Sequence, residues 1–108
     1  MERELPKRHS VIVTLTAKPE QKSALKKTLR SIQRELPQVD GCLDVRVLSH
    51  ADKTGCFTLV EDWSSQSQHE AHIQTLTSNG DWAKLEALLR EPVLANNYIP
   101  LETDDINS

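Results

Sequence analysis

Residues 42–63 read CLDVRVLS, then HADKTG, then CFTLVEDW, and this stretch decides the fold. Cys42 to Ser49 alternates, imperfectly, between apolar and polar side chains, as a half-covered strand does. His50 to Gly55 is a polar loop. Cys56 to Trp63 is a second run rich in β-branched and aromatic residues. Two such runs joined by a short polar loop predict an antiparallel hairpin. A period of two puts Phe57, Leu59, Glu61 and Trp63 on one face of the second run and Val60 on the other.

Working outward from the hairpin, Asp40-Gly41 is a turn. Upstream of it, Leu25, Leu29, Ile32 and Leu36 form one apolar stripe on a helix from about Pro19 or Glu20 to Leu36. Pro19 suits the first turn, and Pro37 ends the helix because the residue before a proline is driven out of the α region. Val11 to Thr16 is a β-branched strand. Downstream, Ser64-Ser65 opens a helix to about Thr77, and either serine can cap it. Ser78-Asn79-Gly80 breaks the chain. Asp81 starts another helix with a stripe of Trp82, Leu85, Leu88 and Leu89, closed by Pro92. Val93 to Ile99 is a fourth strand. The order β-α-β-β-α-(α)-β predicts an α+β, ferredoxin-like fold: a four-stranded antiparallel sheet with helices on one face. The domain spans residues 10–100, between a charged leader (1–9) and a polar tail (101–108) carrying Glu102, Asp104 and Asp105.

The whole chain has 108 residues, 37% hydrophobic and 27% charged. That is one globular domain, too apolar for a disordered chain. No apolar run approaches the roughly 20 residues of a membrane span, and the charged leader lacks the apolar stretch of a secretory signal. Two cysteines without a CxxC form no disulfide framework, so a reducing, cytoplasmic setting is expected. Cys42 and Cys56 fall out of register across the hairpin and are expected to be free, buried thiols. The net charge of −3 hides a segregation: residues 1–34 hold nine of the thirteen Lys and Arg and carry +6, the remainder −9. Lys18, Lys22, Lys26, Arg30 and Arg34 recur every four residues as a solvated helical ridge. Four aromatic residues and a negative total speak against nucleic acid as a partner.

A core this small covers one face of the sheet. The uncovered face would expose an apolar patch that monomers rarely tolerate, so a second copy is expected to pack there as a homodimer.

The segment from Phe57 to Leu76 carries a further pattern: Val60-Glu61, Trp63, Ser65, then Glu70-Ala71-His72 and Gln74-Thr75. It resembles the antibiotic biosynthesis monooxygenase (ABM) family of dimeric α+β barrels, and within it the quinol monooxygenase branch. The first strand ending in Lys18-Pro19 and the Gly41-Cys42 entry to the second agree. The resemblance implies a homodimer with a pocket between sheet and helices in each subunit. Enzymatic members use O2 to oxidise a quinol or phenol with no flavin, haem or metal. The small aromatic substrate supplies the electrons, while the protein removes a proton, holds the ring and excludes water. The alternative is a non-catalytic dimer of the same fold that binds a small ligand or regulates.

His69 and His72 lie three residues apart on one helical face and are the candidate catalytic bases. His72 occupies the family's recurrent histidine position, which serves a structural hydrogen bond as readily as catalysis. His69 sits where enzymatic relatives place a tyrosine. The pair alone is a poor metal site, since zinc needs three or four ligands. Trp63, Trp82, Phe57 and Leu59 are the candidate substrate-binding residues, with core packing the competing role for both tryptophans. Lys84 is the nearby cation that could steady a phenolate. Leu59 stands where one enzymatic branch has an asparagine. Haem-degrading relatives need an asparagine on the first strand, and Val11 to Leu15 offers none; their helical tryptophan corresponds to His72. Haem degradation is therefore disfavoured.

Overall fold

The computed structural model describes residues 8–101. Most of the expected leader (1–7) and of the polar tail (102–108) lies outside the described residues. The chain runs through β1 (His9–Thr16), α1 (Lys22–Glu35), β2 (Cys42–Ser49), β3 (Cys56–Trp63), α2 (Gln66–Ser78), α3 (Asp81–Glu86) and β4 (Leu94–Tyr98). The sheet order is β2-β3-β1-β4, and all three neighbouring pairs are antiparallel. This is the ferredoxin-like arrangement expected from the order of elements.

The helices cover the face that carries Phe57, Leu59, Glu61 and Trp63. On β3 the buried and half-buried positions alternate, with these four buried, as the period of two requires. Leu25 and Leu29 of α1 pack with Leu15, Phe57 and Leu59. Leu36 lies with Val11, Val45 and Trp63 in an adjoining cluster. Cys42 faces Trp63 at one end of β3, and Cys56 begins its other end. Seven residues of strand, about 23 Å, therefore separate the two cysteines; both are free, but only Cys56 is buried as expected, Cys42 being half-buried at the start of β2. Burial, aided by the Glu61 charge, pushes the Cys42 thiol up to about 11, which leaves it a poor nucleophile.

Helix ends depart from the expectation in two places. Pro19–Gln21 and Leu36–Gln38 are single 3-10 turns flanking α1, so Pro37 tightens the chain rather than ending its helical course. α3 stops at Glu86 instead of continuing towards Pro92. The Leu88 carbonyl accepts from Lys18 N–H and Arg90 N–H donates to the Thr16 carbonyl, bridging Ala17 to Leu89 beyond the end of β1. Backbone pairing wins over the helical stripe, and Leu89 is buried at that bridge, past the end of the helix.

Among the described residues, no helix lies on the other face of the sheet. Register aligns Arg46, Val60, Ile12 and Asn96 in one row across it, and Leu48, Thr58, Thr14 and Leu94 in the next. Leu48, Leu94 and Tyr98 are 46%, 60% and 48% exposed. No helix among the described residues is long and apolar enough to cross a membrane.

Candidate functional site

α1 turns its leucines into the core, whereas α2 buries no residue completely. The space left between α2 and the sheet is a cavity of about 750 Å³. Val11, Val13, Leu15, Leu59 and Glu61 floor it, with Ala95 and Asn97 of β4. Leu29 and Ile32 of α1 form one wall, and His69, His72, Ile73 and Leu76 of α2 the other. Trp82 and Leu85 of α3 close one end, and the exposed Glu35, Asp81 and Lys84 stand at the rim. An apolar chamber with a few polar groups converging at one place is the usual form of a small-molecule site.

The register of α2 is fixed by its cap. Ser65 Oγ accepts from Gln68 N–H at 3.3 Å, which settles the choice between the two serines; Ser64 instead donates its N–H to the Gly41 carbonyl at 2.7 Å. With that register, the rings of His69 and His72 each lie 5.4 Å from the Trp63 ring. His9 stands 5.7 Å beyond His69, and its Nε2–H donates to Asn97 Oδ1 at 2.8 Å. Trp63 is fully buried, and its Nε1–H donates to Glu61 Oε1 at 3.0 Å.

Three titrating groups here are displaced. Burial lowers His72. Burial also lowers His69, helped by the neighbouring His9 and His72 and opposed by Glu70. Both imidazoles are thus held neutral near pH 7, with a nitrogen free to accept a proton. Burial pushes the Glu61 carboxyl up, against the pull of the Trp63 hydrogen bond. Among the described residues no group of three or more His, Cys, Asp or Glu is arranged to hold a metal ion.

Of the six candidate residues, four line the cavity: His69, His72, Trp82 and Leu59. Two do not reach it. Phe57 is buried beneath Leu15, Leu25 and Leu29. Trp63 lies behind the wall, its single donor already spent on Glu61, so it backs the site rather than offering its N–H to a ligand. Lys84 is present, but at the rim. Sequence reasoning missed Glu61, His9 and Asn97. The signal for Glu61 was there: an acid alternating with Phe57, Leu59 and Trp63 on an apolar face has no reason to be charged unless something uses it. His9 and Asn97 gave no local signal, because they meet only when β1 pairs with β4.

A ferredoxin-like sheet with a histidine-walled apolar chamber under its helices defines the class: an α+β protein with a cavity between sheet and helices. The sequence pattern of the family described as Antibiotic biosynthesis monooxygenase matches residues 8–78, and the chain belongs to that family. No functionally curated protein is a significant match. Among solved structures, a Nitrosomonas europaea protein provisionally named an antibiotic biosynthesis monooxygenase is 20% identical, with a TM-score of 0.79 over 94% of this chain and 98% of that one. The Rv0793 protein of Mycobacterium tuberculosis is 25% identical, with a TM-score of 0.78 over 88% and 96%. A Deinococcus radiodurans protein, also provisionally named for the family, is 23% identical, with a TM-score of 0.78 over 88% and 94%. These likenesses establish the shared fold.

Proposed function

We propose that the protein is a homodimeric monooxygenase that oxidises a quinol or phenolic aromatic with O2, the substrate itself supplying the electrons. The observation that carries this reading is the apolar chamber whose polar groups, His69, His72 and Glu61, gather against one buried tryptophan. Its volume suits a fused two- or three-ring molecule. The family membership and the names of the related structures support the same chemistry.

The protein's task in such a reaction is limited. A neutral imidazole takes the hydroxyl proton, and the resulting anion passes one electron to O2. The two radicals combine as a hydroperoxide at a ring C–H carbon, and loss of water leaves a carbonyl there. One oxygen atom enters the product and the other leaves as water, so the balance closes on substrate electrons alone. His69 and His72 are the bases, Trp82 and Leu59 hold the ring, and Trp63 and Phe57 stiffen the wall from behind. The two free thiols support a reducing, cytoplasmic setting.

The test is oxygen uptake with naphthohydroquinones, corrected for autoxidation. The wild-type protein is expected to exceed the buffer rate, and His69→Ala or His72→Ala to lose at least about tenfold of the excess, since general bases contribute 10²–10⁴-fold or so. Uptake no faster than buffer, alongside tight binding of an aromatic ligand, would instead identify a non-catalytic binding or regulatory dimer.

A further inference from the structure

Glu61 is a buried acid whose surroundings give it no reason to carry a charge. It is 7% exposed. The ion pairs among the described residues are Arg8 with Asp62 and Arg34 with Glu35, so no Lys or Arg there neutralises it. Its one hydrogen bond from those residues comes from Trp63 Nε1–H to Oε1. A glutamine oxygen would meet that indole equally well and avoid the cost of burying an ionisable group.

The second oxygen, Oε2, takes no hydrogen bond from the described residues. Yet no sealed side-chain oxygen among them lacks a partner, so Oε2 is open, and Glu61 lines the cavity. An acceptor of a buried residue left unmet at a cavity wall costs free energy until a donor arrives. The charged and titratable groups that share the chamber are His69 and His72 from α2, Asp81 and Lys84 from α3, and Glu35 from α1. The thiol of Cys42 senses the Glu61 charge from β2. The one cation of the set, Lys84, is exposed at the rim. A carboxylate or phosphate carried into the deep end would therefore face a like charge, whereas a neutral hydroxyl would find an acceptor.

We propose that Glu61 is the specificity-determining acceptor of this cavity: its open oxygen receives the O–H of an otherwise apolar aromatic ligand. The O–H bond stays intact in this contact and no proton moves to Glu61; ionisation of a substrate hydroxyl remains the work of the two imidazoles. Glu61 thus acts alongside the two histidines and selects aromatic alcohols over their ethers and over aromatic acids. The inference rests on reading the chamber as an aromatic-ligand site, and not on the oxygen chemistry.

Binding of three probes to the full chain tests it: 1-naphthol, 1-methoxynaphthalene and 1-naphthoate. Trp82 lines the chamber, so its fluorescence reports occupancy, with calorimetry as a second readout. In buffer well above the ordinary carboxylate range, the wild-type protein is expected to bind the naphthol about tenfold or more tighter than either other probe, a charge-assisted hydrogen bond being worth that much. Glu61→Gln keeps the Trp63 contact and is expected to bring naphthol and ether within about twofold of each other. His69→Gln and His72→Gln should keep most of the preference. A merely structural Glu61 would weaken all three probes together. The proposal is overturned by a wild-type protein that takes naphthol and ether equally, by naphthoate binding as well as naphthol, or by a preference that survives in Glu61→Gln. The wild-type comparison decides even where the variant fails to fold. Failure of both neutral probes to bind would overturn the aromatic reading itself, and this assignment with it.

Discussion

Two imidazoles and one carboxyl at the cavity have displaced titrations, and these should be visible in the protein's stability. His69 and His72 have folded values below their ordinary 6.5. Between the folded and unfolded values the unfolded chain binds more protons, so stability is lost as the pH falls below about 6.5. Glu61 has the opposite sign. Its folded value lies above 4.5, so the folded chain holds the extra proton and stability declines as the pH rises through that window. Thermal melts from neutral to about pH 5 should therefore show a shallower acid limb for His69→Gln/His72→Gln than for the wild type, and a steeper one for Glu61→Gln. An acid limb of unchanged slope in the histidine double variant would contradict the burial of these rings. At this scale the sequence was half informative. His69, His72 and Trp63 announce themselves by spacing and by the family pattern. What spacing could not show is that Trp63 turns its donor to Glu61, two residues back on the same face of β3, and so withdraws it from any ligand.

At the scale of elements, the join between the β1-α1 half and the cavity wall runs through one turn. Gly41 has φ +88°, and a Cβ there would come within 2.5 Å of the Gln68 side chain. Gln68 is tied to Ser65 at 3.0 Å and to Asp40 at 3.4 Å, and Gly41 also accepts the Ser64 N–H. The same turn thus sets the start of α2 and the direction of its two histidines. Gly80 has a similar φ of +87° but nothing within 4 Å of its added Cβ. Both substitutions by alanine incur the left-handed cost of about 1–2 kcal/mol, and Gly41→Ala must displace Gln68 besides. Urea unfolding should show Gly41→Ala to be the more destabilised, by about 1 kcal/mol or more, and Gly41→Ala should also weaken aromatic binding while Gly80→Ala does not. Equal losses in stability would show that the turn does not brace the helix. All four strands and the two longer helices were legible from periodicity and from Pro and Gly punctuation. The end of α3 was not, because Leu88 and Leu89 keep a helical spacing while the Leu88 carbonyl and the Arg90 N–H on either side of Leu89 are claimed by Lys18 and Thr16, a long-range competition that no local window contains.

At the scale of the whole molecule, the sheet is asymmetric in its cover. One face is sealed by α1 and roofed by α2 and α3. The other presents Ile12 and Val60 side by side at its centre, with Leu48 and Leu94 at the ends of the adjoining row and Tyr98 at a corner. Arg46, Asp44 and Asp62 share that face, so it carries both signs of charge around an apolar middle. A two-fold partner must present the same surface to itself, and a patch of mixed sign can answer itself where a patch of one sign cannot. The helices cannot supply the cover, since the crossovers of a ferredoxin-like chain put both on the same side. A second sheet laid face to face would remove this apolar area from water and stiffen β3, the strand that carries Glu61 and Trp63 to the cavity from its other side. Sedimentation equilibrium at micromolar concentration should therefore give twice the chain mass of 12.2 kDa. Val60→Lys, at the centre of the exposed face, should shift the population to single chains and lower the unfolding midpoint, while Lys26→Glu on the solvated ridge of α1 should do neither. A wild-type species stable at about 12 kDa would mean that this face is left to water, and that the cavity must keep its shape with one side of its floor unsupported.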